Sequence, residues 1–86
     1  MLPSVASTAA DWEAWGSDDG LHSVHILAMN ATVKEAAQMA IVRARAKYGR
    51  AADITTWRFS VRPQHATGPV LHFRARLDDT ATQLDD

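Results

Sequence analysis

The chain contains no cysteine, so it can build neither a disulfide framework nor a thiolate metal site. That fits a reducing compartment. Nowhere do about 18 apolar residues run together, and no membrane contact is expected. The opening stretch MLPSVASTAA carries no basic residue and no long apolar run, unlike a secretory signal. A cytoplasmic location is the expectation. Catalytic signatures are missing as well: there is no P-loop, G-x-G-x-x-G, G-x-S-x-G, H-E-x-x-H or EF-hand loop. No Cys/His or Ser/His pair stands where it would activate a nucleophile, and no inward carboxylate pair suggests acid–base work. The four histidines form no metal motif. His22 and His25, three apart on an expected strand, fall on opposite faces. The chain is therefore expected to be non-enzymatic, with no cofactor and no metal.

What is present points to one small globular domain. Eighty-six residues with 47% hydrophobic and 22% charged content suit a single modest core. Residues 1–8 are small and polar and read as a flexible N-terminus, 9–77 as the domain, and 78–86 as an acidic flexible tail. Charge is segregated. All nine Lys and Arg lie between Lys34 and Arg76, where Glu35 and Asp53 are the only acids, and the other eight acids lie in the flanks. Such asymmetry bears on partners rather than on fold.

The sharpest local signal is a helix over about 33–48. Thr32 and Glu35 supply a capping box, and Gly49 the left-handed residue that commonly closes a helix. Val33, Ala37, Ala40, Ile41, Ala44 and Tyr48 fall on one side at 3.6-residue spacing. Small alanines there let the helix sit close to a sheet. A second apolar set, Met39, Val42 and Ala46, points nearly the opposite way, as a slightly apolar solvent face or a contact surface.

Around the helix the pattern is that of strands. LHSVHILAM (21–29), rich in branched residues, is apolar on both faces, with Val24, Ile26 and Ala28 against Leu21, Leu27 and Met29. That predicts either a central strand or one with a face used for association. ITTWRFSVR (54–62) and VLHFRARL (70–77) alternate, and the loop PQHATGP joins them into a hairpin. Thr55, Trp57, Phe59 and Val61 share one face of it with Leu71, Phe73, Ala75 and Leu77. Segment 9–15, AADWEAW, reads as a strand or a short helix; the GSDDG turn after it favours a hairpin with 21–29. The expected fold is α+β: a two-layer sandwich with one helix packed on a mainly antiparallel sheet, in (β)-β-α-β-β order.

Candidate contact residues follow from these faces. Arg58, Arg62, Arg74 and Arg76, with His72, gather on the helix-distal side of the last hairpin, where they suit an anion or nucleic acid. The acidic flanks would neutralise them if they fold back. Met39, Val42 and Ala46, with Trp15 as a large amphipathic side chain, suit a protein partner. Trp12 is expected in the core, and Trp57 in the core or stacked on a ligand. In order of elements, residues 21–77 resemble the dodecins, small flavin-storing proteins with a strand, a helix and two long strands. The EAA early in the helix and Trp57 after it carry that resemblance, which implies Trp57 stacking on flavin in an oligomer. A β-grasp layout is similar too if 9–15 form a strand. The leading expectation is an interaction domain that binds a protein partner or itself. Nucleic-acid or anion binding and dodecin-like flavin binding are the alternatives.

Overall fold

The computed structural model describes residues 9–18, 20–65 and 67–84. In chain order these form β1 (Ala10–Ser17), β2 (Ser23–Ala31), α1 (Val33–Tyr48), a 3₁₀ turn (Ile54–Thr56), β3 (Arg58–Pro63), β4 (Leu71–Ala75) and β5 (Ala81–Gln83). The strands make one sheet in the order β2-β1-β3-β4-β5, and every neighbouring pair is antiparallel. The helix α1 packs across one face, giving the expected two-layer α+β arrangement. Segment 9–15 resolves as strand. β1 pairs with β2 on one side and β3 on the other, so the two strands that flank α1 in sequence are not neighbours in the sheet.

Alternation decides what each strand buries. Trp12, Ala14 and Gly16 of β1 lie level with Ala28, Ile26 and Val24 of β2, and with Pro63, Val61 and Phe59 of β3. From α1, Val33, Ala36, Ala37, Ala40, Ile41 and Ala44 close over this layer. Because four of those six are alanine, the bulk comes from elsewhere. Trp57, Phe59, Phe73, Ile41 and Ile54 are the largest fully buried side chains, and their removal from water is the main stabilising term. Trp12 is also core, its indole N–H donating to the Ala31 carbonyl at 2.7 Å.

The capping box forms as its residues dictate, whereas Gly49 closes the helix outside the left-handed well expected of it. The Glu35 N–H donates to Thr32 Oγ1 at 3.1 Å, and the Thr32 N–H to Glu35 Oε1 at 2.8 Å. Gly49 takes φ 61° and ψ −140°, and its N–H donates to the Arg45 carbonyl.

Three expectations need correction. β2 is not a central strand: it forms an edge of the sheet, and its apolar second face is simply open. The strand expected over 54–62 begins only at Arg58, because Asp53 caps a 3₁₀ turn, accepting from the Thr55 N–H and the Thr55 hydroxyl. The tail expected to fray from residue 78 is instead built into the domain as far as Leu84. A turn in which Asp78 accepts from the Thr80 N–H and hydroxyl leads into β5, while Leu77, expected inside, is 89% exposed at that turn. Residues 1–8, expected to be flexible, and the tail's last two residues lie outside the described set.

Candidate interaction surfaces

β2 offers its backbone to a partner. Ser23 directs its N–H and C=O away from β1, to the Tyr48 hydroxyl at 3.1 and 3.0 Å. The adjacent His22 carbonyl instead accepts from Asp18 across the β1–β2 turn. In an antiparallel ladder alternate residues point their backbone groups the same way. His25, Leu27 and Met29 therefore direct theirs outward along the edge. β2 is nine residues long, with regular pairing from Ser23 to Ala28 and a bulge before Ala31, where Asn30 takes φ 52°; neither proline nor lysine interrupts it. Leu27 and Met29 are 56% and 60% exposed. Natural sheets usually blunt such an edge.

The exposed apolar flank of α1 runs beside this edge. Met39, Val42 and Ala46 line one open groove of about 840 Å³ together with Met29 and Ala31. Further along, Arg43, Ala46 and Lys47 lie beside Val24 and His25. The structure thus brings together three of the four side chains expected to meet a protein partner. Trp15, the fourth, lies on the opposite face of the sheet, level with His25 and Ser60.

That opposite face carries the arginines. Arg58 and Arg62 of β3 are exposed on it with the buried Ser60 between them, and Arg74 lies level with Thr82. Arg76 follows β4 and donates to Thr82 Oγ1 at 2.7 Å. Glu13 sits among these cations, 3.1 Å from His25 Nε2 and 2.5 Å from Arg62 Nε. The His25 bond first, then Arg62, holds its carboxyl below the usual range. The Arg62 guanidinium also lies 5.6 Å from the Trp15 ring centroid, a cation–π placement. One acid from the N-terminal flank therefore does fold back onto the arginine face. An acid from the C-terminal flank, Asp79, instead pairs with Arg45 on the helix at 3.1 Å.

Trp57 is 1% exposed. Phe59 and His22 stack against it at 5.8 and 6.4 Å, and Tyr48 meets it edge-on at 5.6 Å. A planar ligand could stack there only by displacing the protein's own rings. His22 is also held by Asp18, whose carboxylate lies 2.6 Å from Nδ1 and is kept below its ordinary pKa by that contact. Among the described residues no group of three His, Asp or Glu could hold a metal ion, and no helix is long and apolar enough to cross a membrane.

Sequence reasoning found the helix flank but not its companion. That Leu27 and Met29 stand on an open edge follows from β1 inserting between β2 and β3, a pairing between distant segments. The two-sided apolar pattern of 21–29 was the available signal. No protein-family model matches the chain, and no curated protein or solved structure is significantly similar to it.

Proposed function

We propose that this chain is a non-enzymatic interaction domain that takes up a protein along the β2 edge. The supporting observation is an edge strand covered only at Ser23, with the backbone groups of His25, Leu27 and Met29 directed outward, lying beside the exposed Met39, Val42 and Ala46. Backbone pairing would supply affinity, and the apolar flank would supply selectivity. The edge amides report on this directly. Hydrogen exchange at residues 25, 27 and 29 is expected to slow when protein concentration rises or when a displayed extended peptide binds. Edge amides that stay unprotected in every condition, with no peptide selected, would overturn the reading.

A second reading is anion or nucleic-acid binding on the open sheet face. Trp15 favours it, because it places an aromatic ring level with Ser60, between Arg58 and Arg62, as single-strand binders do. Retention of a labelled single-stranded oligonucleotide should then fall steeply with salt. No retention at low salt would end this alternative.

A further inference from the structure

We infer that the occupant of the β2 edge is a second copy of this chain, docked about a twofold axis that passes beside Leu27. The inference rests on the interaction reading above and names its partner. In a twofold interface one surface must complement itself, and the β2–α1 surface does so at two levels.

The strand level is symmetric about Leu27. The outward backbone groups belong to His25, Leu27 and Met29, so antiparallel pairing sets Leu27 against Leu27 of the second copy. His25 then pairs with Met29 of the second copy, and Met29 with its His25. Each is a hydrogen-bonded pair. The two sheets become one, and the exposed Leu27 side chains meet on the open face.

The helix level is symmetric about the same point. Glu35, Met39, Arg43 and Lys47 follow one another at intervals of four along α1, each beside the next on the helix surface, in a row that winds by about 40° per step. Glu35 and Met39 lie beside Met29 and Ala31, Lys47 lies beside Val24 and His25, and Arg43 borders both groups. The centre of this row, near residue 41, is therefore level with Leu27. An antiparallel copy sets Glu35 against Lys47 and Met39 against Arg43. Opposite charges meet at both ends, and each arginine stem lies along a thioether. The two Arg43 side chains are offset by about 6 Å along the helices, at 1.5 Å of rise per residue. A parallel copy would instead place the two helices on opposite faces of the joined sheet, where none of these side chains meet.

The absence of native cysteine makes the axis directly testable. In Leu27→Cys the paired Cα atoms would stand about 5.5 Å apart, within disulfide reach. Mild oxidation should yield a linked dimer, whereas Leu77→Cys, at a more exposed but remote turn, should not. In sedimentation of the uncrosslinked protein, Leu27→Lys should weaken dimerisation about tenfold or more by opposing like charges. Its circular dichroism should be unchanged, since the side chain is exposed. Lys47→Glu should weaken the dimer too, and Glu35→Lys added to it should restore association despite the lost cap. A dimer insensitive to Leu27→Lys, without selective cross-linking, would overturn the inference. So would a strict monomer at several hundred micromolar. If that monomer still bound a displayed extended peptide in a Leu27-dependent way, self-pairing would fall and the interaction reading would stand. If it bound none, both would fall.

Discussion

The ring of Phe59 covers Gly16 on the neighbouring strand and occupies the space that a side chain at position 16 would need. Gly16 is buried on the helix-facing side of β1, between Val24 and Phe59. The missing Cβ is what lets an aromatic ring lie flat against the sheet there. A Cβ at position 16 would overlap Cδ1 and Cε1 of that ring.

Gly16→Ala should therefore destabilise the fold by about 1–3 kcal/mol, as overpacking does. Urea unfolding would measure it. The clash also predicts coupling between the two positions. Phe59→Leu should cost less in the Gly16→Ala background than in the wild type. Simple additivity of the two losses would show that the ring is free to move aside.

Gly49 carries a different constraint. At φ 61° and ψ −140° it sits outside the left-handed well that Asn or Asp can share, in a region that glycine dominates. Gly49→Ala should cost about 1–3 kcal/mol from this backbone strain alone. A methyl group at position 49 would meet no atom of the surrounding structure within 4 Å, so crowding contributes nothing. A thermal melt indistinguishable from wild type would mean that the 49–53 connection relaxes without loss.

How much of this was legible before the fold is clearest at α1. Thr32, Glu35 and Gly49 act within a few residues of one another, so the sequence states their partners and both cap bonds form. Strand faces were legible too, because a period of two needs only local order: Phe59 and Val61 do line up with Phe73 and Leu71. Position within the sheet was not. β1 pairs Glu13 with Arg62 across 49 positions of chain, and no local pattern encodes that choice. The same distance hid the interaction surface. Met39, Val42 and Ala46 stood out as leftover apolar residues, but their neighbour β2 became an edge only once β1 had taken its inner side. Trp57 was legible as buried, whereas the 3₁₀ turn before it depends on Asp53 competing for the Thr55 backbone.

Acid should loosen the β1–β2 hairpin. The His25 bond and Arg62 lower the Glu13 pKa, and the His22 bonds lower that of Asp18. A carboxyl whose folded pKa lies below its unfolded value, about 4 for these groups, stabilises the fold fully above that unfolded value. The contribution disappears as pH falls through the folded pKa. Glu13→Gln should thus be less stable than wild type near neutrality and converge with it in acid. Urea midpoints across that range would test it. Curves that stay parallel from neutral to acid pH would sink the idea.

Asp79 should prove the residue that ties the last strand to the helix. Arg45 donates from Nε and Nη2 to Asp79 Oδ1 at 3.2 and 3.1 Å, with the two side chains 23% and 32% exposed. A third donor of the same guanidinium, Nη1, reaches the Gly49 carbonyl at 3.1 Å, so the helix end and the β4–β5 turn share one arginine. Asp79 holds φ 66°, a conformation Asn tolerates better than most residues. Asp79→Asn thus removes the charge while sparing the backbone. It should cost about 0.5–1 kcal/mol, and the difference from wild type should shrink as salt screens the pair. Asp79→Ala should cost more, because it adds backbone strain to the lost pair. Since β5 is only three residues long, the loss should appear there first, as faster exchange of the Thr82 and Leu84 amides, which face β4. If those amides exchange at the wild-type rate in Asp79→Asn, then the β4–β5 ladder holds the strand without help from Arg45.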